Sequence, residues 1–528
     1  MGIAAILIYV VAVLALGYWA MRRTKDVGDF FLGGRTIGPW LSAFAYGTTY
    51  FSAVLFIGYG GKLGWGFGLH TMWIVAGNVL IGSLLAWMVL GKRTREMTVR
   101  LNAMTMPAFL GERYKSPTLK VAAALLIFVF LVPYCASVYT GLAYMFEKAL
   151  GLSQEQALAF LAVLTGVYLI MGGYFAVTLT DFLMGLMMIF GVATMLGYLT
   201  GGAGGIIQTT RLLADCQTCA PALKPAPPGQ IPGWVTLLSL VIVTSLGPWG
   251  LPQMVQKFYA IRSAAQVKRA MIVASVFALF ITFGAYYTGA LTHINVPPSK
   301  SAMVKVDKAV SQGAYTSPQE LPVKTDRIGK QVILPSGKPE IDWDRWMPTY
   351  LSQRLPAWVM TVIVLLVFSA SMSTLSSLVL VSSSAIAIDL YAGVLKPNIE
   401  RRSVLILMRV LCGLFVLASL LIALNPPAII INLMVISWGV LAGSFGAAYL
   451  YGLFWRRSNA FGAGAGMLVG VGTGVVLFRL LGVPGIPVAG AVAILLPFAV
   501  VPVASLLTRP MAKEVIDRAF EPGNETAL

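Results

Sequence analysis

Long apolar runs separated by short polar connections fill almost the whole chain. A membrane-spanning helix needs about 20 consecutive apolar residues, and the chain contains thirteen runs of roughly that length. The pattern predicts an all-α, polytopic membrane protein with about thirteen transmembrane helices. The runs cover residues 2–21, 37–60, 65–91, 120–146, 156–176, 180–200, 233–251, 270–293, 356–389, 403–424, 428–455, 459–481 and 486–508.

Connections rich in Lys and Arg alternate along the chain with connections that contain neither residue. One set carries clustered Lys and Arg, whereas connections such as 149–155, 425–427 and 482–485 have neither. Basic connections stay on the cytoplasmic side of a membrane, so we expect an outer N-terminus and a cytoplasmic C-terminus in the plasma (inner) membrane. The basic set comprises Arg22, Arg23, Lys25, Arg35, Lys92, Arg93, Arg95, Arg100, Lys257, Arg262, Lys268, Arg269, Lys396, Arg401, Arg402, Arg456, Arg457, Arg509 and Lys513.

Composition narrows the class of protein. Hydrophobic residues make up 58% of the chain and charged residues 11%, whereas soluble domains carry about 25% charged residues.

The first run is followed, not preceded, by its basic cluster, which is the reverse of a cleavable signal peptide, so we interpret it as a retained helix. The net charge of +18 is spread over the connections and predicts no nucleic-acid partner. The two histidines are isolated in sequence, so we expect no enzyme activity.

Two longer connections, 201–232 and 295–345, are predicted on the outer side. Both are rich in Pro, Gly and polar residues, and the second carries lysines mixed with aspartates. Cys216 and Cys219 form a Cys-x-x-Cys pattern in the first. A local disulfide, two free thiols and half of a metal site are all compatible with that spacing.

The run from Trp358 to Ile388 is unusually rich in hydroxyl groups. Six serines and threonines lie between Ser369 and Ser377, with no cation among them. A helix satisfies its own backbone, so these additional oxygens must face other helices, water or a ligand. Neutral oxygens in a dry place suit a desolvated Na+ ion; the alternative is that they join helices by hydrogen bonds.

Two other runs are interrupted. The run 37–60 contains Gly47 followed by a cluster of hydroxyl residues, and the run 233–251 ends with Pro248 and Pro252, which a continuous helix does not tolerate. Discontinuous helices at corresponding places in two halves indicate a transporter built from inverted repeats. The simpler interpretation is a glycine-packed helix and an ordinary proline kink.

Several motifs resemble the sodium:solute symporter family, and in particular its bacterial proline and pantothenate branch. The resemblance runs from about Tyr9 to Leu507 and is carried by Gly33-Gly34-Arg35, the stretch from Gly172 to Asp181, the stretch from Met372 to Ser376 with Ser384, and Asp389-Leu390-Tyr391. It implies a leucine-transporter-type core of two inverted five-helix repeats, 37–200 and 233–455, joined by the outer loop 201–232. Residues 1–36 would supply an extra helix and a cytoplasmic loop, and 456–528 two further helices and a tail.

The resemblance also implies where Na+ binds. The sodium site of the family falls on the carbonyls of Thr48, Phe51 and Ala370 and on the hydroxyls of Ser373 and Thr374. Positions i, i+3 and i+4 share one helical face, so the spacing of the last three residues is compatible with one site. A second sodium site, found in the sialic acid branch, matches Asp181, Ser376 and Ser377. Asp181 could instead be a solvated charge near a helix end.

The predicted solute pocket lies between the two broken helices. An aspartate that matters in the proline symporter corresponds to Tyr50, and two aromatic residues of its pocket correspond to Thr244 and Pro248, which argues against proline. No intramembrane Arg or Lys is expected, so an anionic solute would rely on helix N-termini, backbone amides and Na+. The candidate pocket residues are Thr49, Tyr50, Ser52, Ala53, Tyr134, Thr244, Gly247, Pro248, Trp249 and Trp438.

These expectations define a secondary active transporter that couples inward Na+ flow to uptake of a small carboxylate or amino-acid-like solute by alternating access. The alternatives are a proton-coupled carrier of the same fold and a Na+ symporter specific for proline or pantothenate. The expected partners are Na+, the solute and the lipid bilayer, and the expected state is monomeric.

Overall fold

The computed structural model describes residues 2–21, 32–171, 174–216, 218–294, 322, 324 and 340–521. Within them the chain is almost entirely helical, with one isolated bridge, Ile37–Ile261, and no strand. The first half contains α1 Gly2–Met21, α2 Pro39–Tyr50, α3 Val54–Leu63, α4 Gly64–Phe67, α5 Met72–Val79, α6 Leu80–Leu85, α7 Trp87–Gly91, α8 Lys92–Arg100, α9 Met106–Tyr114, α10 Pro117–Leu150, α11 Gln154–Met171, α12 Tyr174–Gly201 and α13 Ile206–Ala214.

The second half continues the same all-helical architecture. It contains α14 Gly233–Gly250, α15 Pro252–Ala260, α16 Val267–Leu291, α17 Trp343–Arg354, α18 Ala357–Ser384, α19 Ala385–Leu395, α20 Arg401–Leu424, α21 Ile430–Phe454, α22 Ala460–Leu495, α23 Pro497–Leu507 and α24 Lys513–Phe520. Segments α3, α6, α7 and α19 are π-helical, and short 3₁₀ turns cover Gly33–Arg35, Gly68–Thr71, Pro221–Leu223 and Ala264–Gln266.

The apolar runs correspond to these helices, but several boundaries differ from the prediction. Among the described residues, nine helices are long and apolar enough to span a membrane. Two of them, Val54–Arg100 and Ala460–Leu507, each contain parts of two predicted runs. The predicted connection at 61–64 is helical, and the chain turns instead at Gly68, whose positive φ of 53° suits a residue without a Cβ. Gly482 similarly interrupts α22 at a φ of 62°.

Both predicted helix interruptions are present. Helix α2 ends at Tyr50, and Phe51 is extended before α3 begins at Val54. Helix α14 ends at Gly250, and Leu251 is extended before Pro252 opens α15. Each break removes helical partners from the last carbonyls of the preceding segment, which are therefore available to other groups.

The two broken helices are joined through their main chains at one end. The Ile37 amide donates to the Ala260 carbonyl at 3.3 Å, and the Arg262 amide donates to the Ile37 carbonyl at 2.9 Å. These bonds connect the residues just before α2 to those at the end of α15. The first helices of the two predicted repeats are thus attached to each other, at the end that lies near the basic connections.

The hydroxyl-rich helix α18 lies at the centre of the molecule. In the most apolar windows of α18–α19 and of α21, 94% of residues are buried, whereas the corresponding share for α20 is 28%. Helix α18 packs against α2, α10, α12 and α20. The outer face of α20 exposes a row of apolar side chains to the membrane: Ile406, Val410, Leu414, Leu417 and Leu421.

Some sequence features lie outside the described residues. They include Arg22, Arg23, Lys25, the Gly172-Gly173 pair and most of the connection 295–345. The other long connection is described except for residue 217, and Cys216 and Cys219 form a disulfide there. Of the three alternatives left open for this pair, the structure contains the disulfide.

A buried carboxyl group joins α17 to the start of α21. Asp344 is 5% exposed, and its Oδ2 accepts a hydrogen bond from the amide of Ile430, the first residue of α21, at 3.0 Å. The first amides of a helix have no acceptor within the helix, and the carboxyl oxygen of Asp344 provides one for the Ile430 amide. Burial raises the pKa of Asp344 to about 7, against the lowering effect of the Ile430 amide; the charge of Asp342 adds to the rise, and Lys62 and Lys324 oppose it.

Replacing Asp344 with alanine is expected to destabilise the folded protein by about 1 kcal/mol, because the Ile430 amide loses its acceptor. Asp344→Asn keeps an acceptor and should lose less. Since folding raises the pKa from 3.8 to about 7, the wild-type contribution is complete below about pH 4, falls as the pH rises from there and is lost by about pH 7. Asp344→Asn should lack that fall. Thermal unfolding in detergent between pH 5 and 8 measures both effects; equal melting of Asp344→Ala and wild type would contradict them.

Candidate ion and solute site

The predicted sodium ligands come together where α18 passes the break after α2. The Ser373 hydroxyl donates to the Thr48 Oγ1 at 2.7 Å. The Thr374 Oγ1 lies 3.0 Å from the Ala370 carbonyl oxygen, 3.2 Å from that of Thr48 and 3.4 Å from that of Thr49. These side chains are fully buried. Two hydroxyls of α18 and the released carbonyls of α2 therefore form one oxygen-lined cluster.

Phe51 occupies the break itself. Its amide donates to the Gly47 carbonyl at 3.1 Å, which closes the last turn of α2, and its own backbone is extended. The following carbonyls of Thr48, Thr49 and Tyr50 are beyond the reach of regular helical bonding. Phe51 thus follows directly on the carbonyls that contact Thr374, and its role as a ligand stays a prediction.

This cluster fits Na+ by its chemistry. All of its donors are neutral oxygens, and unwound carbonyls at a helix break are the groups with which transporters of this architecture hold a coupling ion. Thr48, Phe51, Ala370, Ser373 and Thr374 would hold the ion. The hydroxyl protons of Ser373 and Thr374 already point to other oxygens, so lone pairs remain for a cation.

The residues of the predicted second sodium site have different surroundings. The Ser376 hydroxyl donates to the Ser373 carbonyl of its own helix at 2.9 Å. The Ser377 oxygen lies 3.0 Å from the Thr49 Oγ1 and accepts from the Lys257 ammonium at 3.0 Å. Asp181 is fully buried, and among the described residues neither carboxylate oxygen has a hydrogen-bond partner.

Lys257 corrects two expectations from the sequence. The residue was assigned to a polar cytoplasmic connection, and no Lys or Arg was expected inside the membrane. In the structure it lies in α15 and is only 1% exposed, with its ammonium 5.1 Å from the centre of the Tyr174 ring. The nine-residue helix α15 is too short and polar to register as an apolar run. The proline after the break was the available signal, since Pro at a first helical position often begins a new helix.

A small cavity of about 20 Å³ lies beside the ion site. Four of the predicted pocket residues line it: Tyr50, Ser52, Thr244 and Trp438. The Tyr50 hydroxyl donates to the Thr244 carbonyl at 2.5 Å, so the two broken helices are joined across the cavity. The remaining lining residues, which the sequence did not indicate, are Phe51, Leu55, Tyr59, Asn78, Met434 and Tyr286.

Two polar groups of this lining lack partners. Within the described part of the chain, neither the Tyr59 hydroxyl nor the Trp438 indole N–H makes a hydrogen bond of good geometry, although both are buried and the indole lies close to the Tyr134 hydroxyl. Unpaired donors in a dry cavity cost free energy unless a ligand pairs with them. The Asn78 side chain adds a third polar group to the same wall. The lining therefore offers hydrogen-bond donors for an acceptor group next to apolar walls.

The other predicted pocket residues do not line this cavity but contact residues around it. The Tyr134 ring packs edge-on against Trp438 at 5.8 Å, and Gly247 leaves space for the same indole, because a Cβ there would be 2.6 Å from it. Ala53 packs against Gly141, and Pro248 is buried within α14. The Trp249 N–H donates to the Ile81 carbonyl at 3.0 Å, away from the cavity lining.

Two broken helices, an oxygen cluster at one break and a small cavity between them define a secondary transporter of the leucine-transporter type. A family model of the sodium:solute symporter family matches residues 30–317 and 340–470. The chain belongs to the sodium:solute symporter family. It is therefore a multi-pass membrane transporter that couples solute uptake to sodium by alternating access, and it is not an enzyme.

Curated relatives agree with this assignment. The osmoregulated proline transporter OpuE of Bacillus subtilis is 26% identical over 88% of this chain and 86% of its own length. The sodium/proline symporter of Salmonella typhimurium is 27% identical (89% and 86% covered), and the sodium/pantothenate symporter of Haemophilus influenzae is 26% identical (90% of each chain).

Solved structures show the same fold. A Na+-coupled sialic acid symporter in a substrate-bound outward-open state matches with a TM-score of 0.71 at 17% identity, covering 96% of this chain and 98% of the other. Mhp1, a nucleobase-cation-symport-1 family transporter in a closed conformation, matches with a TM-score of 0.52 at 12% identity, covering 94% and 99%.

Proposed function

We propose that this symporter binds Na+ at the cluster of Thr48, Phe51, Ala370, Ser373 and Thr374 and takes up a small organic solute bearing a carboxylate or a similar acceptor. The observation that carries the proposal is that the cluster and the cavity share one helix break. Phe51 lines the cavity and belongs to the ion site, and its neighbour Tyr50 closes the cavity. An ion that orders this break also orders the solute pocket.

The unpaired donors of the cavity favour the carboxylate assignment. Tyr59 and Trp438 present an O–H and an N–H, and the walls are otherwise mainly aromatic and aliphatic. Curated relatives are named for proline and for pantothenate, both of which carry a carboxylate. Tyr50, Thr244 and Pro248 differ from the proline branch, so we propose a solute other than proline.

The test is a screen of small carboxylates and amino acids by thermal shift, in sodium and in choline buffer at fixed pH. Uptake of each hit is then measured in proteoliposomes. Stabilisation and uptake that require Na+ support the proposal. Uptake in choline that follows a pH gradient would instead support the proton-coupled alternative.

We also propose an outer N-terminus and a cytoplasmic C-terminus. The basic connections containing Arg95, Arg262 and Arg457 then lie on one side of the membrane, as the positive-inside rule requires. A reporter fused after Arg509 that fluoresces only in the cytoplasm is expected to be active, whereas the same reporter in the connection 201–232 is expected to be silent. The reverse result would contradict this orientation.

A further inference from the structure

The buried ammonium of Lys257 has surroundings that resemble those of a bound ion. It donates to the Ser377 hydroxyl at 3.0 Å and lies over the Tyr174 ring. Asp181, on the neighbouring helix α12, supplies the negative charge that interacts with it. A buried ammonium is costly unless an opposite charge and polar groups compensate it. The Ser377 hydroxyl, the face of the Tyr174 ring and the Asp181 carboxylate together offset the cost of burying the Lys257 charge.

Asp181 has the complementary requirement. Its carboxylate is fully buried and lies beside the Ser373 hydroxyl, whose proton goes to Thr48 instead, so it needs a cation nearby. Lys257 and a second Na+ would both satisfy this need. The two cannot do so together, because both would use the Ser377 oxygen and both carry one positive charge.

The electrostatic repulsion between the Lys257 ammonium and a second Na+ would be large. Two unit charges about 4 Å apart, at an effective dielectric constant of about 20, repel strongly enough to weaken binding of the second by roughly a thousandfold. The Ser377 oxygen also lies 3.0 Å from the Thr49 Oγ1, so α2, α15 and α18 meet at this position. The Ser377 oxygen therefore has little capacity left to coordinate another ion.

The geometry points to Lys257 as the resident cation of the second site. Its ammonium, bonded to Ser377 and attracted by the charge of Asp181, takes the place of a second Na+, and the protein binds one Na+, at the Thr48–Ser373 cluster. This inference rests on the proposed function. Because the ammonium is attached to α15, it does not leave with the solute, and each cycle moves a single sodium ion.

The experiment measures 22Na+ bound per molecule of purified full-length protein at saturation, with choline maintaining the ionic strength. Wild type is expected to bind one ion. Lys257→Ala frees Asp181 and Ser377 and is expected to bind two. The matched variant Lys257→Ala/Asp181→Asn removes both charges and should return to one, and Lys257→Arg, which keeps the cation, should also bind one.

Different outcomes separate this inference from the proposed function. Two ions bound by wild type overturn the role of Lys257 and leave sodium coupling intact, and one ion bound by folded Lys257→Ala overturns it as well. No sodium bound by wild type overturns the proposed sodium site itself. If Lys257→Ala does not fold, the stoichiometries of wild type and Lys257→Arg decide, since either one binding two ions contradicts a resident ammonium.

Discussion

Replacing Ser373 and Thr374 together with alanine is expected to raise the Na+ concentration for half-maximal binding by roughly a hundredfold or more. Each hydroxyl interacting with a charged partner contributes about 1.5–3 kcal/mol, and about 1.4 kcal/mol corresponds to a factor of ten. Both hydroxyls also bond across to α2, so their removal loosens the break that supplies the carbonyl ligands. Sodium-dependent thermal stabilisation and 22Na+ binding, at fixed pH, measure the change.

Ser371→Ala is the matched control for this experiment. Ser371 lies on the same helix and is equally buried, but its hydroxyl donates to the Val367 carbonyl of its own helix at 2.6 Å. Its removal should leave the sodium dependence unchanged. A double variant with wild-type sodium dependence would mean that these hydroxyls only join helices, which was the alternative interpretation of the sequence.

The second large effect is expected in the solute cavity. Tyr59→Phe removes one hydroxyl without changing the ring, and Trp438→Phe removes the indole N–H. If both groups donate to an anionic acceptor, each change should weaken binding of the solute by about tenfold or more. The measurement is isothermal titration in saturating Na+ of the carboxylate identified by thermal shift.

Trp249→Phe provides the control for this pair. It also removes an indole N–H, but that group donates to the Ile81 carbonyl outside the cavity lining, so solute affinity should not change. If Tyr59→Phe and Trp438→Phe both bind the solute as wild type does, the cavity does not recognise an acceptor group through these donors.

The sequence predicted the features that depend on local chemistry. Two proline residues and a glycine with hydroxyl neighbours marked the broken helices, and hydroxyls three and four residues after Ala370 marked one face of α18. These signals are local because backbone bonding and helical spacing are properties of a short segment. The structure brings the corresponding residues Thr48, Ser373 and Thr374 together.

Features that depend on tertiary packing were not predictable in the same way. Lys257 carries a charge and follows a break, so hydropathy assigned it to a connection, although its helix packs against α2 and α18 and its ammonium lies over Tyr174 of α12. Tyr59 lies two turns beyond the predicted pocket residues of the same broken run, and Asn78 lies in a run that the sequence did not associate with the pocket. Trp249 and Trp438 were indistinguishable by residue type, and only packing separates the one that lines the cavity from the one that does not.

The main-chain bonds between Ile37 and residues 260–262 have an evolutionary consequence. Both bonds use only amide and carbonyl groups, so almost any side chain at these positions preserves them. Proline at position 37 or 262 would remove a donor and is the exception. The attachment between the two broken helices can therefore persist among relatives whose sequences there have diverged completely, and no conserved residue would reveal it.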